Sequence, residues 1–159
     1  NVVPGQLVEK GKSYQVTSNM RGGTLEERRD IMHHEAFHDA SIAALNSEFM
    51  PVGFRKAYSR LRQPGVGSVL DIYIDEALAY YDQTKTASTD KYKEDAKGKL
   101  KKMRQSAMDK LRAAKWDNRQ DDVGILTFWL EQLKPENLSE WNRQILHAAK
   151  KRHEALGYK

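Results

Sequence analysis

His34, Glu35 and His38 stand in the run His34-Glu35-Ala36-Phe37-His38, an HExxH spacing with a definite chemical consequence if the segment is helical. Residues four apart differ by about 40° in direction, so both imidazoles leave one face and can grip a single divalent ion. Glu35 points about 100° away from His34 by the same geometry. Its carboxylate then lies beside the ion, within reach of ion-bound water but badly placed as a third ligand, which is the position of a general base in metal-assisted hydrolysis. Histidines facing a protein interior are costly unless their nitrogens find partners, and zinc supplies partners while fixing the neutral tautomer. A helix carrying solvated histidines is the competing expectation.

A catalytic zinc takes three protein ligands and keeps one position for water. The chain has no cysteine, so the third donor must be nitrogen or oxygen. His147 and His153 lie far along the chain, His153 in the charged run Lys150-Lys151-Arg152-His153-Glu154 that suits solvent. His33 is adjacent to the pair but about 100° off its face, as an outer-shell or surface residue would be. The segment from Asp71 to Asp82 offers four carboxylates in a helical pattern. The neighbours of Glu76 at three and four residues are Ile72, Tyr73, Ala79 and Tyr80, an apolar and aromatic surface, which predicts an inward acid. An unpaired carboxylate there costs several kcal/mol, a cost that coordination to a cation removes. Asp75, with Asp71 and Asp82 among its neighbours, predicts a solvated acidic edge; Asp75 and Asp82 are the alternative ligands.

HExxH followed a few tens of residues later by the helical Asp75-Glu76-Ala77-Leu78-Ala79 resembles the gluzincin branch of the zincin metallopeptidases. The resemblance covers roughly residues 24 to 82. It implies His34, His38 and Glu76 as zinc ligands and Glu35 as the base that takes a proton from zinc-activated water and passes it to the leaving amine. Many gluzincins carry an acid four residues after the glutamate ligand; here that position is Tyr80, which leaves Asp30 and Asp39 as candidate supports for the histidines. The further histidine of the HExxHxxGxxH metzincin pattern is missing after His38. An oxyanion needs one more donor, for which Tyr73, one turn before Glu76, and Tyr58 are candidates.

The elements that must position these residues are legible in part. Thr24 and Glu27 form a capping-box pattern that predicts a helix starting near Leu25, after the Gly22-Gly23 break. Ile31, His34, Phe37, His38, Ser41, Ile42 and Leu45 then mark its inward stripe. Ser13 to Ser18 is a strand candidate; the resemblance implies a small sheet over the active-site helix whose edge pairs with extended substrate, while a plain hairpin fits as well. Residues 47 to 70 predict an irregular connector with a short helix around Phe54 to Leu61. Tyr92, Ala96, Leu100, Met103, Ala107, Leu111 and Ala114 form a long apolar stripe on a basic helix. Asp121 or Asp122 can cap a helix from Val123 to Leu133 ended by Pro135, and Asn137-Leu138-Ser139-Glu140 reads as the cap of a last helix that Gly157 terminates.

The expected fold class is thus α-dominated α+β: a zincin-like active-site helix pair, a small β element and additional C-terminal helices. One domain is expected over 1–159, with a β-containing segment at 1–23, catalytic helices and connector at 24–86, and a helical part at 87–159. With 159 residues, 39% hydrophobic and 31% charged, the chain describes a soluble globular domain, without the run of about 20 apolar residues a membrane span requires. Asn1-Val2-Val3-Pro4 is neither a start methionine nor a signal peptide, which predicts a processed form or a domain of something larger, secreted or delivered.

Two functions follow. The first is a zinc metalloendopeptidase, a toxin or effector candidate, acting on a peptide or protein, peptidoglycan peptides included. The second is a non-catalytic helical domain that binds an anionic partner through its basic helix at residues 91–115, in keeping with a net charge of +5. No nucleic-acid motif accompanies the basic stretch, so nucleic acid is not the expected partner.

Overall fold

The computed structural model describes residues 23–157 and the backbone of residues 7–10 and 13–16. The two short segments are strands, β1 (Leu7–Lys10) and β2 (Ser13–Val16), paired antiparallel with Leu7 opposite Val16 and Lys10 opposite Ser13. Among the described residues they are the only strands, and they pair only with each other. That ribbon is not the sheet that the resemblance implies, and residues 17 and 18 of the expected strand lie outside the described residues.

Helices carry the fold: α1 (Leu25–Leu45), α2 (Val52–Leu61), α3 (Val66–Leu70), α4 (Ile74–Thr86), α5 (Asp90–Trp116), α6 (Gln120–Gln132) and α7 (Pro135–Ala155). α1 begins where its cap predicts: the Glu27 backbone N–H donates to the Thr24 hydroxyl at 3.1 Å, and the Thr24 N–H donates to the Glu27 carboxylate at 3.4 Å. Its buried face is turned from the expected stripe. Phe37, Ser41, Ala44 and Leu45 are buried, whereas Ile31 and Ile42 are exposed. The rotation follows from α1 packing on both α4 and α7, which brings Ala44 inside and leaves the histidine pair at the edge of the core.

The connector is more regular than expected. α2 covers the foreseen short helix, and α3 forms inside the glycine-rich stretch because Gly65 takes a left-handed φ of 90° that turns the chain into it. A Cβ on Gly67 would lie 2.6 Å from the Tyr73 hydroxyl, so the absence of a side chain there lets the tyrosine ring pack down on α3.

In the C-terminal part, α5 buries Ala96, Met103, Ala107 and Ala114 of the predicted stripe, with Leu100 and Leu111 packed beside them. Two predicted caps differ from the structure. α6 starts at Gln120, and Asp122 pairs with Arg119 rather than capping. α7 starts at Pro135, whose fixed φ and missing N–H suit the first helical position; Asn137 instead donates its side-chain amide to the Glu131 carbonyl at 2.7 Å. Gly157, at φ 84°, follows the end of α7 as expected. Trp129, Trp141, Leu78, Leu126 and Ile145 occupy a shared core that joins α4, α6 and α7, so residues 24–86 and the helical part at 87–157 do not have separate interiors. No helix among the described residues is long and apolar enough to cross a membrane.

Candidate metal centre

α1 delivers His34 and His38 from successive turns, and α4, packed across it, delivers Glu76 from its first turn. His38 Nε2 lies 2.5 Å from Glu76 Oε1, His34 Nε2 lies 3.7 Å from Glu76 Oε2, and the two Nε2 atoms are 3.2 Å apart. All three candidate ligand atoms fall within 4.8 Å of one another, and among the described residues this is the only such cluster of metal-ligating side chains. The imidazoles are mostly covered while Glu76 is about one-third exposed, its side-chain accessibility being 35%. The cluster therefore sits at the edge of the core with a way in from solvent.

The electrostatics suit a cation. The imidazoles of His34 and His38 beside it outweigh the desolvation of Glu76 and hold its carboxyl down at about 2, so it stays ionised. For His38, burial opposes the charged ring, but the hydrogen bond and negative charge of Glu76 prevail and raise its pKa. Glu35 is pushed up, first by burial and further by the charge of Glu76, against the opposing influence of the two imidazoles. Two imidazole nitrogens, that of His38 once a metal displaces its proton, and an ionised carboxylate converge on one point as the nitrogen–oxygen donor set that zinc takes, so the residues fit the metal.

The alternative acids are committed elsewhere. Asp75 is not on a solvated edge: it is 8% exposed, accepts the Tyr58 hydroxyl proton at 2.9 Å and faces Arg62 Nε at 3.4 Å. Asp82 is buried too, bound to His33 Nε2 at 2.8 Å and to the Thr86 hydroxyl at 3.2 Å. His33 thus ties α1 to α4 beside the cluster. Asp30 accepts from the Ser88 backbone N–H and hydroxyl just before α5, so its carboxylate is engaged away from the histidines, and Asp39 is exposed. His147 and His153 are exposed on α7 and outside the cluster.

The expected oxyanion donors are placed differently. Tyr58 is buried, its hydroxyl donating to Asp75 at 2.9 Å and its oxygen accepting from Arg62 at 2.6 Å. The Tyr73 ring lies against Gly67 and is half exposed. The tyrosine at the cluster is Tyr80. Its ring centroid is 5.1 Å from that of His34, and its phenol is kept protonated by burial, by the charge of Glu76 and by a hydrogen bond to that carboxylate. Gln83 also meets the site, with Oε1 3.2 Å from His34 Nδ1. Both were within reach of helical arithmetic, since Tyr80 and Gln83 lie one and two turns after Glu76 on the same face.

The chain matches no protein-family model, no curated protein and no solved structure, so the reading of this centre rests on its own geometry.

Proposed function

We propose that this chain is a zinc-dependent peptide hydrolase, with His34, His38 and Glu76 holding the metal and Glu35 as general base. The observation that carries the reading is the convergence of the HExxH imidazoles and a helical carboxylate from 38 positions further on. When bound, zinc supplies Lewis acidity toward a carbonyl and acidifies water. Glu35, its pKa raised by a partly buried setting, is suited to take a proton and return it to a leaving amine. Tyr80 presents a protonated phenol at the cluster and takes the role of oxyanion donor in place of Tyr58 and Tyr73. A zincin relationship is proposed on the same residues.

The test is metal analysis of the purified chain together with hydrolysis of a quenched fluorescent peptide library and of peptidoglycan fragments. Wild type is expected to hold about one zinc and cleave a subset of substrates; Glu35→Ala is expected to hold zinc equally and cleave none. Full cleavage by Glu35→Ala would exclude the assigned base.

One observation favours the second reading, an anionic partner on α5. Trp116, at the end of that lysine-rich helix, is 90% exposed, and Lys97, Lys99, Lys101 and Lys102 face solvent. Metal-free protein with unaltered folding would give this reading precedence.

A further inference from the structure

We infer that Gln83 is the positioning residue of the metal centre: its side-chain amide selects the tautomer of His34 that presents a bare Nε2 to the cation. The inference deepens the metal reading above and rests on it. Gln83 Nε2 lies 3.5 Å from the backbone carbonyl of Tyr92 on α5, and a carbonyl can only accept, so the amide NH2 must face that way. Oε1 then faces His34 Nδ1 at 3.2 Å, and because Oε1 can only accept, the proton of neutral His34 sits on Nδ1. Nε2 is left as a lone pair directed toward His38 and Glu76.

The cluster distances agree with this assignment. A neutral His34 has no proton to give at Nε2, and its nitrogen stands off from Glu76 at 3.7 Å, while His38 Nε2 closes to 2.5 Å as a donor. The Tyr92 carbonyl is itself well placed. The Tyr92 N–H donates to the Thr89 hydroxyl at the cap of α5, and the Tyr92 phenol bonds Glu27 in the first turn of α1. Gln83 therefore hangs from a clamp joining the starts of α1 and α5, and the orientation of one imidazole is set by three helices. A neutral amide fills the outer-shell role for which the sequence suggested an aspartate.

The experiment compares wild type with Gln83→Leu, which removes the acceptor at similar volume, and Gln83→Glu, which keeps it. Long-range 1H–15N correlation of the metal-free proteins, at a pH where the rings are neutral, reads the His34 tautomer. Competition with a chromogenic chelator reads zinc affinity. Wild type and Gln83→Glu are expected to show His34 protonated on Nδ1, whereas Gln83→Leu shifts to Nε2–H and binds zinc about 10- to 100-fold more weakly. A purely structural role would lower the melting temperature of Gln83→Leu without moving its tautomer. His34 protonated on Nε2 in wild type, or equal zinc affinity in wild type and Gln83→Leu, would overturn the assignment. Wild type that takes up no zinc would overturn the metal reading instead, and the tautomer measurement would still decide the part played by Gln83.

Discussion

Asp75 offers a sharp test of how the two acids at the start of α4 divide their work. Replacing it with Leu removes the acceptor of the Tyr58 proton, in a position where Tyr58 is 4% and Asp75 8% exposed. A hydrogen bond to a charged group under such cover contributes about 1.5–3 kcal/mol. The ion pair with Arg62 adds little, because that side chain is 40% exposed and solvent screens it; about 0–1 kcal/mol is appropriate. Loss of a negative charge from the first turn of α4, whose cap residue Tyr73 makes no side-chain cap, costs roughly a further 0.3–1 kcal/mol. The expected destabilisation is about 2–5 kcal/mol, measured by urea unfolding with an unchanged slope. Tyr58→Phe alone removes the same hydrogen bond from the other side. The double variant Tyr58→Phe/Asp75→Leu should therefore be less destabilised than the sum of the singles by about 1–2 kcal/mol, since neither partner is left orphaned. Zinc affinity of Asp75→Leu should change by less than about tenfold, the lower end of what outer-shell changes do. Additivity within about 0.5 kcal/mol would refute the network, and loss of zinc binding in Asp75→Leu but not in Glu76→Ala would exchange the two acids.

Three further expectations follow from the same structure. Because the proposed ligands come from α1 and α4, zinc at about a hundredfold over its dissociation constant should stabilise the fold by about 2.7 kcal/mol, a rise of roughly 5–10 °C in calorimetry; an equal rise in Glu76→Ala would count against its ligand role. The pKa of Glu27 is lowered from 4.5, first by its hydrogen bond with Tyr92, so its contribution to stability is present above 4.5 and lost as pH falls through the folded value. The stability gap between wild type and Glu27→Gln should thus be open at neutral pH and close as pH falls from 4.5 through the lower folded value in urea titrations; a gap independent of pH would contradict it. Trp141 is 1% exposed, meets Phe54 edge-on with ring centroids 4.9 Å apart and donates its indole N–H to Gln132 at 2.9 Å, so Trp141→Ala should cost about 3–5 kcal/mol in denaturant unfolding; a cost under about 1 kcal/mol would contradict the packing described.

What the chain states locally is what a single helix can state. The Thr24 and Glu27 cap fixes where α1 begins, the spacing of His34 and His38 puts both rings on one face, and the long apolar stripe from Tyr92 to Ala114 marks α5, because each depends only on a repeat of 3.6 residues. Glu76 could be preferred over its neighbours by the same arithmetic. The rotation of α1 about its own axis could not, since it is set by where α4 and α7 press on it, and Ile31 and Ile42 accordingly ended outside. The fates of Asp75 and Asp82 were equally hidden: burial of a carboxylate depends on whether Tyr58, Arg62, His33 and Thr86 arrive from other turns and helices to satisfy it. Gln83 and Tyr80 were visible as residues of the Glu76 face, but only the packing of α4 between α1 and α5 turned that face toward His34 and gave the two side chains something to act on.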